Sequence, residues 1–208
     1  MTGTSEANAG RVVRLEASQA HLAVDVLCES FFDYPVMDYV LEPVDGDYSE
    51  TLRRLVHFFV MARVHRQEPV LAILDESDAL AAAIVTLPGR RSPPKVAKAR
   101  EDTWRELGQE ARRRYEEYGN ASLEFELETP NYHLNMIGVR DRARGRGLGR
   151  LLIDAVHEMS REDPSSTGVT LTTEIAGNVG LYQHLGYEIV GHVEFGRGLE
   201  TGGFFRPD

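Results

Sequence analysis

A glycine-rich turn between an apolar run and an amphipathic stretch is the feature that most restricts how this chain can fold. The run Tyr132–Val139 predicts a strand, and Leu148–Met159 places apolar side chains at helical spacing. Three glycines occur in five residues between them, at Gly145, Gly147 and Gly149. Glycine lets the backbone approach a ligand closely, and the free N–H groups of a helix start attract anions. The segment therefore predicts a strand–turn–helix unit that binds a phosphate-bearing ligand.

Basic residues crowd this turn in a chain that is acidic overall. The 208 residues include 23 Lys and Arg against 33 Asp and Glu, which gives a formal net charge of −10. This balance argues against a general nucleic-acid binder and against an anionic-membrane binder. The arginines in or beside the turn are Arg140, Arg142, Arg144, Arg146 and Arg150. Local positive charge in an acidic protein favours one specific phosphate-bearing ligand.

Two other anion-binding motifs do not match this turn. A dinucleotide fingerprint, G-x-G-x-x-G, fails because the last position counted from Gly145 is Arg150. A P-loop needs Gly-Lys followed by Ser or Thr, and the turn contains no lysine. The remaining alternative is a glycine-rich connector whose arginines are solvated.

Several properties of the whole chain limit its class. Cys28 is the only cysteine, so the fold does not depend on disulfides. The longest apolar stretches, such as Ala79–Val85, are far shorter than the roughly 20 residues of a membrane-spanning helix. The first ten residues show no basic or apolar signal segment, so we expect a disordered tail at 1–10 and a cytoplasmic protein. No pair of Cys or His residues has metal-ligand spacing, so no metal is expected.

Hydrophobic periodicity and turn residues predict one mixed α/β domain over residues 11–208. The predicted strands are Val12–Leu15, Val70–Leu74, Ala79–Leu87, Tyr132–Val139, Val169–Glu174, Tyr187–Phe195 and one near Phe204. A first helix is predicted to be capped by Ser18 and to end near Tyr34. The other predicted helices are Val36–Leu41, Ser49–His65, Lys95–Tyr118 with a stop at Gly119-Asn120, Leu148–Met159 and Val179–His184.

Two motifs together resemble the GNAT superfamily of N-acetyltransferases. The first, Arg144-x-x-Gly147-x-Gly149, follows a strand, opens a helix and is similar to the family's acetyl-CoA motif. The second is the stretch 178–187, N-x-x-L-Y-x-x-L-G-Y, which is similar to the family's strand–helix–strand that carries a tyrosine acid. More widely, the stretch 31–35 (FFDYP) and the stretch 204–207 (FFRP) resemble the puromycin N-acetyltransferase-like branch.

The resemblance implies a GNAT acyltransferase fold, with a mostly antiparallel sheet flanked by helices, and acetyl-CoA as cosubstrate. The strand Ile137, Gly138 and Val139 would hold the pantetheine arm through main-chain groups, and Asn178 would hydrogen-bond to the same arm. A main-chain N–H of this strand would also polarise the thioester carbonyl. The turn would bind the pyrophosphate through Arg144, Gly145, Arg146, Gly147, Leu148, Gly149 and Arg150, and either Arg140 or Arg142 would meet the 3′-phosphate.

Tyr182 is the expected acid, because expulsion of the thiolate during acetyl transfer requires a proton. The structural alternative is a half-buried tyrosine that anchors its short helix. The base that deprotonates the acceptor is left open among Glu124, Glu126, Glu128, Glu174, His133 and water. The three glutamates Glu124, Glu126 and Glu128 alternate along a segment predicted to be extended, so they would share one side of a strand. The alternative to a catalytic role is that this side of the strand is simply exposed to solvent. The alternative for His133 is a structural histidine.

We expect the acceptor to be a small primary amine that attacks acetyl-CoA directly in a ternary complex. Acidic residues cluster beside aromatic ones in the N-terminal helical region: Asp33, Asp38, Glu42, Asp45 and Asp47 with Phe31, Phe32, Tyr34 and Tyr39. Carboxylates attract an ammonium group and rings pack against its apolar body, so Phe32, Asp33 and Tyr34 are expected to contact the acceptor. The alternative for these residues is a solvated helix face over an aromatic core. The alternatives for the function are a protein or peptide acetyltransferase and a catalytically idle acyl-CoA-binding regulatory module. Homodimer formation is left open.

Overall fold

Seven strands form one sheet within residues 10–42, 46–76 and 78–208, the part of the chain that the computed structural model describes. The strands are β1 (Val12–Arg14), β2 (Val70–Asp75), β3 (Asp78–Thr86), β4 (Tyr132–Val139), β5 (Gly168–Thr173), β6 (Glu188–Phe195) and β7 (Leu199–Pro207). The helices are α1 (Ala20–Ser30), α2 (Pro35–Leu41), α3 (Tyr48–Arg66), α4 (Pro94–Leu107), α5 (Gln109–Ser122), α6 (Leu148–Glu162) and α7 (Gly177–His184). The predicted tail lies outside the described residues except for Gly10.

The strand order is β1-β2-β3-β4-β5-β7-β6. Neighbouring strands are antiparallel except for the pair β4 and β5, which is parallel. One face of the sheet packs against helices α1 to α5, and the other packs against α6 and α7. The predicted single α/β domain with a mixed, mostly antiparallel sheet is therefore confirmed.

Four predictions about the helices are wrong. Ser18 does not cap α1, because it lies inside a 3₁₀ turn, Ala17–Gln19, and α1 ends at Ser30 rather than near Tyr34. The predicted helix Lys95–Tyr118 is two helices, because Gly108 has a φ of +93° and breaks the helical path between them. Gly119 does not stop α5, which runs on to Ser122. The other predicted elements agree closely with the observed ones.

Strand β4 contains a bulge at Asn135 that changes which core its side chains enter. Met136 pairs with Ile84 and Leu134 pairs with Val85, so Asn135 is an extra residue in β4. Leu134 consequently joins the core beneath α6, whereas Met136 joins the core beneath α1. The bulge therefore shifts the alternation of β4, so that two side chains two residues apart enter opposite cores.

Strands β4 and β5 separate beyond this bulge. They pair only where Tyr132–Leu134 lies beside Val169–Leu171. The N–H of Arg140 donates to Leu80 O at 2.9 Å, so Arg140 is at a position of β4 that is hydrogen-bonded to β3. Along an antiparallel pair, every second residue is hydrogen-bonded to the partner strand in this way. By that alternation the backbone groups of Ile137 and Val139 point away from β3 and into the gap beside β5.

Gly138 allows α1 to pack directly against β4. A Cβ at this position would lie 2.7 Å from Ser30 Cβ, which is closer than real Cβ contacts allow. We expect Gly138→Ala to lower the free energy of unfolding by about 1–3 kcal/mol, because α1 must move away from the sheet. Denaturant unfolding measures this change. Gly180→Ala in α7 is the control, since a Cβ there meets no atom within 4 Å, and equal midpoints for the two variants would disprove the packing role.

Candidate functional site

The glycine-rich turn joins β4 to α6, as predicted, and two of its glycines are required by the backbone conformation. Gly145 has a φ of +75° and Gly147 a φ of +76°, which residues with a side chain rarely adopt. A Cβ at either position would meet no atom within 4 Å. The space in front of this backbone is therefore open to a ligand.

Free donors line the same turn. The backbone N–H groups of residues 145 to 150 have no hydrogen-bond acceptor within the described ranges of the chain. The last three of these groups belong to the first turn of α6, a 15-residue helix that begins at Leu148. Unpaired N–H groups at a helix start carry partial positive charge and favour an anion. Leu148 is buried and Gly149 partly so, which anchors the turn on the sheet.

The arginines around the turn differ in how firmly they are held. Arg140 forms ion pairs with Glu29 at 2.7 Å and Asp78 at 3.1 Å, and its side chain is only 17% exposed. Arg142 pairs with Asp78 alone and is 55% exposed. Arg146 is exposed and forms no ion pair with any described residue. Arg144 pairs with Asp141 and Arg150 with Asp154, both at the surface. Arg140 therefore joins β4 to α1 and β3 through its ion pairs, whereas the side chains of Arg142 and Arg146 are exposed and accessible to a ligand.

A cavity of about 250 Å³ opens at the gap between β4 and β5 and reaches both faces of the sheet. Aromatic side chains from the α1–α2 turn, α3 and α5 line one side: Phe31, Tyr34, Phe59, Tyr115 and Tyr118. Its polar lining residues include Arg63, His133, Asn135, Thr172, Glu174, Asn178 and Tyr182. Ile137 lines the cavity from β4. Of the expected pantetheine and acid residues, Ile137, Asn178 and Tyr182 line this chamber, whereas Val139 does not and Gly138 packs against α1.

Tyr182 places a buried phenol at this cavity. Its ring packs against Tyr187 and Phe204, with centroid separations of 5.8 and 5.6 Å. Its hydroxyl has no hydrogen-bond partner among the described residues. Burial raises the pKa of Tyr182 to about 12, and Glu174 contributes further. The hydroxyl is therefore protonated at neutral pH and free to donate. Asn178 lies nearby on α7 and donates to Thr173 Oγ1 at 3.2 Å.

Two of the candidate bases line the cavity. Glu174 follows β5 and accepts a hydrogen bond from Thr201 Oγ1 at 2.7 Å. Burial raises the pKa of Glu174, which makes its carboxylate a stronger base than an exposed one. Burial lowers the pKa of His133 to about 4, with a smaller contribution from Arg63. His133 is therefore neutral at pH 7 and a weak base, and its Nδ1 lies 3.0 Å from Thr170 Oγ1.

The prediction that Glu124, Glu126 and Glu128 share one strand face is wrong. Leu123–Phe125 is a 3₁₀ turn, because Phe125 folds inward onto two glycines of β6 and β7. A Cβ at Gly191 would come within 2.5 Å of Phe125 Cε1, so the ring fills the space that a side chain would need. Glu126 and Glu128 line an adjacent cavity of about 440 Å³, which shares His133 and Leu171 with the central one.

Only one of the three expected acceptor contacts lines the central cavity. The hydroxyl of Tyr34 accepts a hydrogen bond from the N–H of Glu174 at 3.3 Å. Phe32 is 44% exposed and its ring meets Tyr48 edge-on at 5.3 Å. Asp33 is exposed and does not line the cavity. Phe32 and Asp33 point to the surface because Phe31 and Tyr34 occupy the inward positions of this short turn.

The acidic cluster of the N-terminal region also has surface roles. Asp38 accepts a hydrogen bond from the Tyr48 hydroxyl at 2.7 Å, and Glu42 pairs with Arg197 at 3.1 Å. Asp47 caps α3 by accepting from the N–H of Ser49 at 2.8 Å. Asp45 lies outside the described residues. Among the described residues, the carboxylate that lines the central cavity is Glu174, whereas Asp38 and Glu42 line a separate pocket. The attraction of an ammonium group to the acidic cluster stays a prediction.

Helices α3 and α5 contribute cavity residues that were not predicted from the sequence. Arg63, Tyr115 and Tyr118 all line the chamber. The helical stripes that predicted α3 and α5 marked these tyrosines only as core residues. Within the described ranges no group of three or more His, Cys, Asp or Glu side chains is placed to hold a metal ion. No described helix combines the length and apolar character that crossing a bilayer requires.

Comparisons with known proteins agree on one fold. Residues 109–201, less than half of the chain, match the model of the acetyltransferase (GNAT) domain. No curated protein sequence matches this chain. A solved structure from Corynebacterium glutamicum, described as histone acetyltransferase HPA2 and related acetyltransferase, is similar with a TM-score of 0.64 and 20% identity. That similarity covers 95% of this chain and 96% of the other.

Two insect enzymes are similar over comparable lengths. Mosquito arylalkylamine N-acetyltransferase like 5b has a TM-score of 0.63 and 14% identity, covering 95% of this chain and 99% of its own. Drosophila melanogaster polyamine N-acetyltransferase, which forms N-acetylagmatine, has a TM-score of 0.60 and 16% identity, covering 94% of this chain and 97% of its own. These findings confirm the predicted fold and support the predicted acyltransferase enzyme. Residues 109–201 are thus identified with a GNAT acetyltransferase domain, in a chain that has the GNAT N-acetyltransferase fold.

Proposed function

We propose that the protein transfers an acetyl group from acetyl-CoA to a small primary amine. The observation that carries this proposal is the chamber at the β4–β5 gap, which is lined both by Glu174 and by Tyr182, whose hydroxyl has no hydrogen-bond partner among the described residues. The free N–H groups of the glycine turn lie at the end of the same β4 strand. The insect neighbours acetylate small amines, which supports the same substrate class here.

The residues present fit acetyl-CoA, the cosubstrate of the GNAT family. The unpaired N–H groups of residues 145–150 would bind its pyrophosphate, and the open space at Gly145 and Gly147 would admit it. The backbone of Ile137 and Val139 and the amide of Asn178 would hold the pantetheine arm. Arg142 is a better partner for the 3′-phosphate than Arg140, which is already paired with two carboxylates. When bound, acetyl-CoA supplies an activated thioester.

The side chains of the chamber have complementary proton-transfer roles. Glu174 would accept a proton from the acceptor ammonium, because its raised pKa brings it nearer to that of the group it deprotonates. Tyr182 would donate its proton to the departing sulfur. Its pKa of about 12 keeps the proton on the oxygen until negative charge develops on that sulfur. The attack is direct, and no side chain of the protein needs to carry the acetyl group.

Replacement of Glu174 tests its role as the base. We expect Glu174→Gln to lower kcat/KM about 10²-fold at neutral pH, because an amide cannot take the proton and water replaces it poorly. The rate of the parent protein should fall as pH drops through the pKa of Glu174, at a pH above that of an ordinary carboxyl group, since burial raises this pKa. The variant should lack this acid limb in a pH–rate profile.

The matched control is Glu126→Gln, which changes a carboxylate of the adjacent cavity. It should retain both the rate and the acid limb. If Glu174→Gln behaved like this control, Glu174 would not be the base, and the role would fall to water, His133, Glu124 or Glu128.

Release of the CoA thiol in the presence of acetyl-CoA and a panel of amines tests the function itself. Small primary amines should give faster thiol release than lysine-containing peptides, because the chamber holds only about 250 Å³. Faster turnover of peptides would favour a protein acetyltransferase. Acetyl-CoA binding without thiol release for any amine would indicate an idle regulatory module. Membership of the puromycin N-acetyltransferase-like branch and the cytoplasmic location stay predictions from the sequence. Whether the protein forms a homodimer stays open.

A further inference from the structure

The proposed acceptor chamber contains a buried cation for which the acetyl-transfer mechanism has no use. Arg63 projects from α3 and lines the cavity, with a side chain that is only 12% exposed. One of its Nη atoms donates to Thr86 Oγ1 at 3.0 Å. The other reaches Phe59 O only at 3.5 Å, and its Nε is buried with no hydrogen-bond partner among the described residues. Its capacity to donate hydrogen bonds is therefore not exhausted.

The charge of Arg63 is only partly balanced. The nearest carboxylate is Glu68, whose Oε2 lies 3.9 Å from Arg63 Nε. The same oxygen lies 3.9 Å from Arg66 Nη1, so one carboxylate is shared between two guanidinium groups. Burial raises the pKa of Glu68, and the two guanidinium groups oppose that shift. His133 is neutral, so this end of the chamber carries a net positive charge.

The acidic group of the chamber has a partner other than this cation. Glu174 is held by Thr201, and no ion pair joins it to Arg63 in the described structure. Two tyrosines of α5 lie near different charges. Burial raises the pKa of Tyr115, and the Arg63 guanidinium opposes that shift. Burial also raises the pKa of Tyr118, and the Glu174 carboxylate adds to that shift. The rings of these two tyrosines lie side by side, with centroids 6.5 Å apart. The chamber therefore has a cationic end, an aromatic middle and an acidic end.

We infer that the acceptor is an amine that also carries a carboxylate, separated from the amine by an apolar body, and that Arg63 binds this carboxylate. The inference rests on the proposed acetyl transfer to a small amine and narrows its substrate class. The ammonium group would lie toward Glu174, and the apolar body would pack between Phe31, Phe59 and Tyr115. A guanidinium with unused donors in a buried site is well suited to a carboxylate, because burial strengthens charge-assisted hydrogen bonds.

Two acceptors of nearly equal size test this inference: 4-(aminomethyl)benzoate and 4-methylbenzylamine. They differ in whether the ring carries a carboxylate or a methyl group. We expect the carboxylate compound to have a KM about 10- to 100-fold lower in acetyl transfer, as a charge-assisted hydrogen bond predicts. Equal or tighter use of the methyl compound would overturn the inference, although turnover of either compound would still support the proposed function.

Arg63→Gln should remove this preference. Its KM for 4-(aminomethyl)benzoate should rise about 10-fold or more, while its KM for 4-methylbenzylamine and for acetyl-CoA should change little. Arg66→Gln is the matched control, because Arg66 is on the same helix and shares Glu68 but does not line the chamber. If Arg63→Gln raised the KM for both acceptors equally, the inference would be wrong, and Arg63 would only connect α3 to Thr86 and the β4 bulge.

Calorimetric titration in the presence of free CoA separates this inference from the proposed function. Free CoA carries no acetyl group, so the titration measures acceptor binding without chemistry. Binding of 4-(aminomethyl)benzoate that Arg63→Gln weakens about 10-fold would support the inference even if turnover were absent. Tighter binding of 4-methylbenzylamine, or equal binding of both compounds by the parent protein, would overturn it.

Discussion

Tyr182→Phe is expected to lower the rate of acetyl transfer about 10²–10⁴-fold while leaving acetyl-CoA binding nearly unchanged. Phenylalanine keeps the ring that packs against Tyr187 and Phe204 and removes only the hydroxyl. That hydroxyl makes no hydrogen bond to the described residues, so its loss should not destabilise the fold. A large loss of rate without a loss of stability would identify the hydroxyl as the acid.

Single-turnover kinetics is the appropriate measurement, because slow product release can mask a change in the chemical step. Tyr187→Phe is the matched control, because its ring packs on Tyr182 and its hydroxyl lies 3.0 Å from His157 Nε2. Losing this buried hydrogen bond should lower stability by about 1–3 kcal/mol and leave the single-turnover rate unchanged. If Tyr182→Phe kept the parent rate, Tyr182 would only anchor α7.

The parts of the site that the sequence predicted are those encoded in one continuous segment. The turn between β4 and α6 needs glycine because of its local backbone conformation, and the anion-binding N–H groups follow from the same geometry. Asn178 and Tyr182 share one short helix, so a single motif places them together. Local rules therefore sufficed for the residues expected to bind the cosubstrate and for the expected acid.

The acceptor side could not be predicted in this way, because it is assembled from distant segments. Arg63 on α3 and Tyr115 on α5 meet only after both helices pack against the sheet. Their apolar stripes showed that these helices face a core, but not that the core contains a chamber. The bulge at Asn135, which places Leu134 and Met136 on opposite faces of the sheet, was not predicted from the alternation of apolar residues in β4.

Charge density along the sequence could not show where each acidic side chain lies, for a related reason. Closely spaced acidic residues indicate a polar segment but not the direction in which each side chain points. Asp47 is used to cap α3, and Asp38 binds a tyrosine hydroxyl at the surface. Glu174, a single acidic residue after a buried strand, is the one that burial and the chamber make chemically distinctive. Burial therefore distinguishes Glu174 from the other candidate carboxylates.

Gly147→Val is expected to abolish the stabilisation of the protein by acetyl-CoA. At a ligand concentration 100-fold above its Kd, acetyl-CoA should raise the free energy of unfolding of the parent protein by about 2.7 kcal/mol. A branched side chain at residue 147 would occupy the open space in front of the free N–H groups. It would also oppose the φ of +76°, so the turn itself would shift. Thermal unfolding with and without acetyl-CoA measures the effect.

Gly198→Val separates ligand exclusion from backbone strain. Gly198 also has a positive φ, +83°, but it lies in the turn between β6 and β7, away from the glycine-rich turn. Both variants should unfold at a lower temperature than the parent protein without ligand, because both force a side chain into a conformation that favours glycine. Only Gly198→Val should keep the acetyl-CoA shift. NAD and ATP should stabilise none of the three proteins, and stronger stabilisation by either would contradict the assignment of this turn to acetyl-CoA.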